Sequence, residues 1–523
     1  MEKARIILNG YVLTCDAENR GGRLNIAIRD GRVVDISESA SFLTSSYPGA
    51  TVIDAEGKLI IPGFINTHFH SDSVLHRVRT DGLHFGLWKK EKQFEHASRK
   101  LLEPSSYDDL RTLYLASYFS HLKSGTTCVG EFGPPVDEKG FLGVLESISR
   151  SNVKAVMTLQ NWDEIVQARG LGSRKPRCMV SIGKEEDYTV YSFENLSSAA
   201  RKDRLPLLAH IAETRGDVEI IRKKFRKSPL AVLSDYAALA SSTLLVHANH
   251  LSDQEVALVE ERGVAVVICA RSAAFKQTGY PSLRRFACRN VFLCLGTDWG
   301  NNDMIREIRF LDRLPLVVPG IRQFSPLELL RMATINGARA LGIASETGSI
   351  ENGKKADLTF LATKDLRLPI LEKHATPDQL AEFLVHHLTS QYVSDVMING
   401  EFCVHDGQIK NISEGDLIGG LQQLQEKYYP SSTREPRAST PSRTSVPKPK
   451  VIPFVAEEHT SPHEDEGFEE GFSVVQKTPK VFEMRPHSPS APPPPPSSTP
   501  EKGKSKNPDP SKNVNRVFGE DDL

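Results

Sequence analysis

Between residues 59 and 296 the chain repeats one pattern, in which a short apolar run is followed by a segment of helical period and then another apolar run. The runs lie at 59–65, 126–130, 153–159, 207–211, 243–247, 264–269 and 291–296. Parallel strands need a long crossover between them and a helix is the usual one, so this alternation specifies a parallel barrel or a doubly wound sheet. The spacing favours an α/β fold of the (β/α)8 TIM-barrel kind, distorted by its insertions. A barrel of that kind brings the carboxyl-terminal ends of all its strands to one mouth.

The flanks read differently. In the first 55 residues, Ile6-Ile7-Leu8, Val12-Leu13, Ile26-Ala27-Ile28 and Val33-Val34-Asp35-Ile36 are separated by turn signals at Asn9-Gly10 and Asp30-Gly31, the pattern of a small antiparallel sheet. A second set follows residue 350. It comprises Asp357-Leu358-Thr359-Phe360-Leu361, Val393-Ser394-Asp395-Val396-Met397-Ile398 and Phe402-Cys403-Val404, with turns at Asn399-Gly400 and Asp406-Gly407. Neither set has enough strands to bury a face alone, so both ends are expected to build one β-sandwich.

The expected division is a first part of the sandwich over 1–55, the barrel over 56–350, the second part of the sandwich with a closing helix over 351–429, and a tail over 430–523. The tail holds 18 of the chain's 32 prolines, with 13 basic against 14 acidic residues and few apolar ones. Such a segment cannot close a core and is expected to be disordered. Its run Pro492 to Pro496 suits a polyproline II helix that docks in a partner's aromatic groove.

Charge and cysteine usage narrow the function classes. With 65 Lys and Arg against 66 Asp and Glu, the net charge is -1, which offers no field for nucleic acid or an anionic membrane. Small-molecule substrates are the expected partners, and a homo-oligomer is compatible with the sequence. The seven cysteines are scattered, with no Cys-x-x-Cys spacing, which fits a reducing compartment. There is no stretch long enough for a secretory core or a membrane span, so the expected location is cytoplasmic.

Polar, titratable residues stand where the apolar runs stop. His68 and His70 end the first run two residues apart, and on a strand positions i and i+2 share a face. A lone His-x-His recurs by chance, but His210 closes 205–209, with Glu213 three residues on, His247 closes 243–246, and Asp298 closes 291–297. If these runs are barrel strands, residues up to 230 positions apart surround one point at the mouth. Three histidines and one aspartate, with a coordination position left open for water, form a catalytic complement for Zn2+, with Fe2+ as the alternative.

The segments Pro62-Gly63-Phe64-Ile65-Asn66-Thr67-His68-Phe69-His70, Ser124-Gly125-Thr126-Thr127, His210-Ile211-Ala212-Glu213-Thr214, His247-Ala248-Asn249-His250-Leu251-Ser252, Gly296-Thr297-Asp298 and 348–358 resemble the amidohydrolase superfamily. More narrowly they resemble its mononuclear aminohydrolase branch: guanine deaminase, S-adenosylhomocysteine or 5'-methylthioadenosine deaminases, and triazine chlorohydrolases. The likeness spans about residues 1 to 412. It implies a metal-dependent hydrolase acting on a non-peptide C–N bond, with hydrolytic deamination of a nitrogen heterocycle as the reaction. His68, His70, His210 and Asp298 would hold one divalent ion, and Glu213, His247 and Asp298 would be catalytic. Asp298 would accept the water's proton, Glu213 would pass a proton to the ring nitrogen, and His247 would stabilise the tetrahedral oxygen.

Two substrate-facing signatures of that branch are altered. A His-Ala-Pro-Tyr-like segment is replaced by Ser181-Ile182-Gly183-Lys184-Glu185-Glu186-Asp187-Tyr188-Thr189, and Pro-x-Ser-Asn by Ala270-Arg271-Ser272-Ala273. A charged set near Glu185 and Arg271 would prefer a ligand other than a neutral purine, although loop acids are more often solvated. Arg77, Arg79, His84 and Trp88 follow the first metal strand and are candidates for the pocket wall. His250 reads as a turn residue, and 299–303 as a support for Asp298. Two alternatives stand beside deamination. One is cyclic-amide or guanidine-type hydrolysis on a dinuclear centre, for which Lys154 is the only candidate bridging lysine. The other is a non-catalytic scaffold of the same fold.

Overall fold

The computed structural model describes residues 3–80, 85–88, 91–133, 137–172, 176–236, 238–286 and 288–430. The tail beyond residue 430, with Pro492 to Pro496, and His84 lie outside the described residues. Strands β1 (Arg5–Leu8), β2 (Tyr11–Leu13), β3 (Gly21–Arg23), β4 (Asn25–Arg29), β5 (Arg32–Ser37), β6 (Thr51–Asp54) and β7 (Lys58–Pro62) come first. Then follow β8 (Phe64–Phe69), β9 (Thr126–Glu131), β10 (Lys154–Leu159), β11 (Arg177–Ser181), β12 (Leu207–Ile211), β13 (Thr243–His247), β14 (Ala265–Ile268) and β15 (Phe292–Leu295). The last group is β16 (Leu358–Ala362), β17 (Val393–Ile398), β18 (Glu401–His405) and β19 (Gln408–Ile409).

Strands β8 to β15 pair in chain order, each parallel to the next. The circle is closed by a parallel bridge between Phe69 and Asp298. Around it the Asp298 amide donates to the His68 carbonyl at 2.9 Å, and Asn66 exchanges hydrogen bonds with Thr297 at 2.7 and 3.0 Å. Alternation along the strands sorts the apolar residues. Ile65, Cys128, Val156, Met179, Leu208, Leu244 and Val267 share one core with the helix Ile335–Ala340, whereas Ala209, Leu245, Val266 and Leu295 belong to the larger core with the surrounding helices. His210 lies two residues beyond Leu208 and shares its face.

The chain ends meet as expected. Two sheets, in the orders β5-β4-β1-β6 and β19-β18-β17-β16-β7-β2-β3, share a core of Ile7, Ile26, Ile28, Ile60, Leu358 and Phe360. The turns at Asp30-Gly31, Asn399-Gly400 and Asp406-Gly407 each close an antiparallel hairpin.

Three local readings change. Asn9-Gly10 joins no hairpin; it carries the chain from β1 in one sheet to β2 in the other. The apolar run 59–65 is not one barrel strand, because Gly63 divides it. Its first part, β7, lies between β16 and β2, and its second part, β8, enters the barrel. A Cβ on Gly63 would sit 2.2 Å from Cγ2 and Oγ1 of Thr127, so only glycine lets the two strands part there. The fourth barrel strand, β11, escapes the hydrophobic pattern because it opens on a charged residue and closes on a polar one, Arg-Cys-Met-Val-Ser.

Among the described residues, no helix is long and apolar enough to cross a membrane. All seven cysteines are free thiols, and only Cys288 is exposed.

Candidate metal centre

Every one of the six proposed site residues lies at or just beyond the carboxyl end of a barrel strand. His68 is on β8 and His70 one residue past it, His210 is on β12 with Glu213 two residues past its end, His247 ends β13, and Asp298 follows β15. Short, well-capped connections keep these ends in place. Thr214, next to Glu213, caps the helix Arg215–Phe225 in a reciprocal capping box with Asp217, and Asp303 caps Met304–Val317. Such caps contribute about 1 kcal/mol each. His247 and Asp298 have φ of +71° and +55°, left-handed values that a non-glycine residue adopts at a cost of about 1–3 kcal/mol. Strain of this size, held by surrounding structure, aims both side chains inward.

The six residues converge. Ring nitrogens of His68, His70 and His210 lie within 4.8 Å of one another, as do donor atoms of Glu213, His247 and Asp298. Asp298 joins the two groups, its Oδ1 lying 3.2 Å from His70 Nε2 and 3.7 Å from His68 Nε2. The Nε2 atoms of His68 and His210 are 3.1 Å apart. His247 Nε2 stands 3.6 Å from Glu213 Oε2 and 3.9 Å from Asp298 Oδ2. Glu213, His247 and Asp298 are all buried.

A metal fits this donor set. Burial and neighbouring imidazoles hold His68 and His210 well below the usual histidine range, so both rings are neutral and have lone pairs to give. Burial pushes the Asp298 carboxyl up, but the Lys276 ammonium and the adjacent His70 ring carry it well below the usual carboxylate range. Asp298 Oδ1 is buried without a hydrogen-bond partner, as is His247 Nε2. Unpartnered buried polar atoms are costly unless a ligand completes them.

The other oxygen of Asp298 is occupied. Oδ2 accepts from Ser272 and, at 2.5 Å, from the Lys276 ammonium, which also donates to Glu213 Oε1 at 2.9 Å. Burial works against the Lys276 charge, but Asp298 and Glu213 more than offset it and hold the ammonium above its ordinary range. Burial likewise raises Glu213, while His247 and Lys276 bring it below the usual value, leaving an ionised acid beside an ionised lysine.

Sequence reasoning missed Lys276. It lies on the helix Ala270–Lys276, four residues beyond Ser272 and therefore on the same face, and nothing in Ala-Ala-Phe-Lys marks it as buried. An aromatic roof was legible only in part. Trp88 and Trp299 pack with centroids 5.1 Å apart, Trp299 lies 5.6 Å from His70, and His76 stacks on Trp299.

The remaining candidates are placed as follows. Arg77 and Arg271 line a pocket of about 40 Å³ with Trp88, Ser272, Lys276 and Trp299. The side chain of Arg79 lies outside the described residues. Glu185 is not solvated as loop acids usually are. It is buried, accepts from the Ala212 amide, and burial with the nearby Asp217 carboxylate pushes it up to about 8. Tyr188, from the same altered segment, donates to the His210 carbonyl at 2.5 Å. His250 pairs through Nε2 with the Thr278 carbonyl at 2.8 Å and is no ligand. Within 299–303, Trp299 Nε1 donates to Thr80 and the Gly300 amide to Ser73, so the segment ties Asp298 to the helix Ser73–Thr80. Lys154 begins β10, at the other end of the strands, and is paired with Asp357. It cannot bridge a second metal at the mouth.

Cavity size does not locate this chemistry. A much larger cavity, about 670 Å³, opens by Arg177, Leu207 and Thr243 at the amino ends of β11, β12 and β13. It holds none of the converging donors.

Comparison with known proteins identifies the family. Residues 59–403 match the amidohydrolase family. The 5-methylthioadenosine/S-adenosylhomocysteine deaminase of Moorella thermoacetica is 26% identical over 421 residues, covering 78% of this chain and 95% of that protein. The crystal structure of a zinc-bound adenosine deaminase from Xanthomonas campestris superposes with a TM-score of 0.72 at 22% identity, covering 81% of this chain and 98% of the other. The zinc complex of atrazine chlorohydrolase from Arthrobacter aurescens gives 0.71 at 18% identity, over 80% and 100%. The two structural likenesses speak to the fold.

Proposed function

The chain belongs to the amidohydrolase family, and on that premise we propose that it is a metal-dependent hydrolase that deaminates a nitrogen heterocycle. The observation that carries this reading is the convergence of three imidazoles with Asp298 Oδ1, an acceptor left without a hydrogen-bond partner, directly beside the buried acid Glu213 and His247. His68, His70, His210 and Asp298 would hold one divalent ion, with zinc the choice that fits three nitrogen donors and one oxygen. Such an ion, when bound, supplies the polarisation that makes water reactive near neutral pH.

The chain's own residues handle the protons. Asp298, its carboxylate held in place by Ser272 and Lys276 donating to Oδ2, takes one of the attacking water's two protons and yields it to the departing amine. Glu213, ionised and 3.6 Å from His247, accepts the water's other proton and passes it to the ring nitrogen beside the attacked carbon. His247 offers Nε2 to the oxygen on which negative charge gathers, and the departing amine leaves as ammonia. Trp88 and Trp299 form an apolar wall suited to a flat ring. The deaminase relatives act on adenosine derivatives, which places purine-like rings first among the compounds to try.

Ammonia release should be screened across purines, pyrimidines, pterins and triazines with zinc-loaded protein, with metal measured on the same sample. Glu213→Gln is expected to keep its metal and to lose release by about 10²–10⁴-fold, the usual weight of a positioned acid–base group. Unchanged release in that variant overturns the proton role. A second equivalent of tightly bound metal would overturn the mononuclear reading.

A further inference from the structure

Among the described residues, the pocket that opens beside Asp298 is lined by two arginines, Lys276 and no acidic side chain. Arg77, Arg271 and Lys276 share it with Trp88, Trp299 and Ser272. Arg271 is partly buried, and its Nη1 is buried without a hydrogen-bond partner. A guanidinium nitrogen in that state is costly unless an acceptor from a ligand completes it. The acid behind it does not cancel its charge. Glu307 accepts the Arg271 backbone N–H at 3.1 Å, not its guanidinium, and burial pushes its carboxyl up to about 8 against the pull of the Arg271 charge. Lys276 stands where the pocket meets the site, 4.9 Å from the Phe85 ring and 5.7 Å from that of Trp88. Its two carboxylate partners, Glu213 and Asp298, face the metal centre and are already matched by it.

We propose that this pocket receives an anionic group, a carboxylate or a phosphate, carried by the planar heterocycle that the enzyme acts on. Arg271 supplies the anion's partner, Arg77 stands on the same wall, and the two tryptophans wall the ring. Guanidinium groups suit this task because their planar donors match carboxylate and phosphate oxygens. The assignment rests on the deamination reading. Arg271 stands at the unrestricted position of the segment Ala270-Arg271-Ser272-Ala273, where the resembled deaminases carry Pro-x-Ser-Asn.

The test is calorimetric titration of the zinc-loaded full chain with matched probes: pterin against pterin-6-carboxylate, and adenosine against adenosine 5'-monophosphate. One charged member is expected to bind at least about tenfold tighter than its neutral partner, the worth of a charge-assisted hydrogen bond. The pair that shows it distinguishes carboxylate from phosphate. Arg271→Met should abolish the preference and leave the neutral member's affinity unchanged. Arg271→Lys should keep part of the preference, which separates lost recognition from a folding defect. Absence of binding by both charged probes, neutral probes binding as tightly as charged ones, or a preference that survives Arg271→Met overturns the proposal. Ammonia release on the same samples separates the two readings. A charge preference with no release from any compound overturns deamination alone. Release from neutral heterocycles without a charge preference overturns anion recognition alone.

Discussion

Two sets of buried charges lie at opposite ends of the barrel strands, and their bonding is completed differently. At the amino end, Asp357 meets Lys154 through Oδ2 and the Asn399 amide through Oδ1 at 2.8 Å. On the neighbouring sheet, Asp395 takes Lys58 at 2.6 Å and Ser394 at 2.7 Å on one oxygen, and His405 at 2.7 Å and the Asp406 amide at 3.2 Å on the other. At the mouth, Asp298 Oδ1 and His247 Nε2 have no hydrogen-bond partner. Both regions contain metal-type donors, and Asp395, His405 and Asp406 even lie within the same 4.8 Å limit as the mouth residues. Residue types alone do not separate them. The difference lies in unused bonding capacity: a saturated carboxylate holds the fold together, whereas an unsaturated one, kept rigid in a buried place, is prepared for something else.

Substitutions at each end test that distinction. The largest effect is expected from Asp298→Asn, which removes the only anionic donor from the proposed ligand set and leaves Lys276 facing Glu213 alone. Bound metal should fall at least about tenfold, since even changes outside the ligand shell cost that much, and ammonia release about 10³-fold. Elemental analysis beside the activity assay checks both, and full metal content in this variant would break the comparison. Asp357→Ala should do the reverse. It strands the partly buried Lys154 charge and should cost about 3–5 kcal/mol of stability, read by denaturant unfolding, with metal per folded chain unchanged. Gly63→Ala, which drives a methyl into Thr127, should cost about 1–3 kcal/mol, and Thr127→Ala in the same chain should return only part of it, because the Thr127 Cβ would still lie 2.7 Å away.

The smallest effect is a pH dependence. Burial raises the Asp395 carboxyl, but hydrogen bonds from Lys58, Ser394 and Asp406 bring it below its ordinary value. A depressed folded pKa gives stability that is complete above the unfolded value, about 3.9, and is lost as pH falls through the folded one. The difference in Tm between the native chain and Asp395→Asn should therefore be full at pH 7 and shrink below about pH 4. A difference that stays constant to pH 2 would show that the carboxylate charge is not what holds this corner.

Much of the mouth was readable because it follows a simple rule. His68, His210, His247 and Asp298 each stand where an apolar run ends, and a parallel barrel sends every such end to one place. Lys276 obeys no such rule. It belongs to a helix of seven residues, and its ammonium turns inward only because Asp298 and Glu213, 22 and 63 positions away, are there to receive it. Glu185 was misjudged for the same reason: its burial depends on the Ala212 amide, on a different strand connection. β11 was hidden because Arg177 and Ser181 at its ends leave only three apolar residues between them, too short a run to detect.

The amino-acid order by itself determined the strand–helix alternation, the meeting of the two chain ends in a sandwich and the family, because these depend on periodicities and short motifs that are local to the chain. Only the folded structure decided where the run at Gly63 divides, which carboxylate oxygen stays unsatisfied, and that a lysine stands against the site acids. Those outcomes depend on distances between residues far apart in sequence, and a buried charge settles where its partners are.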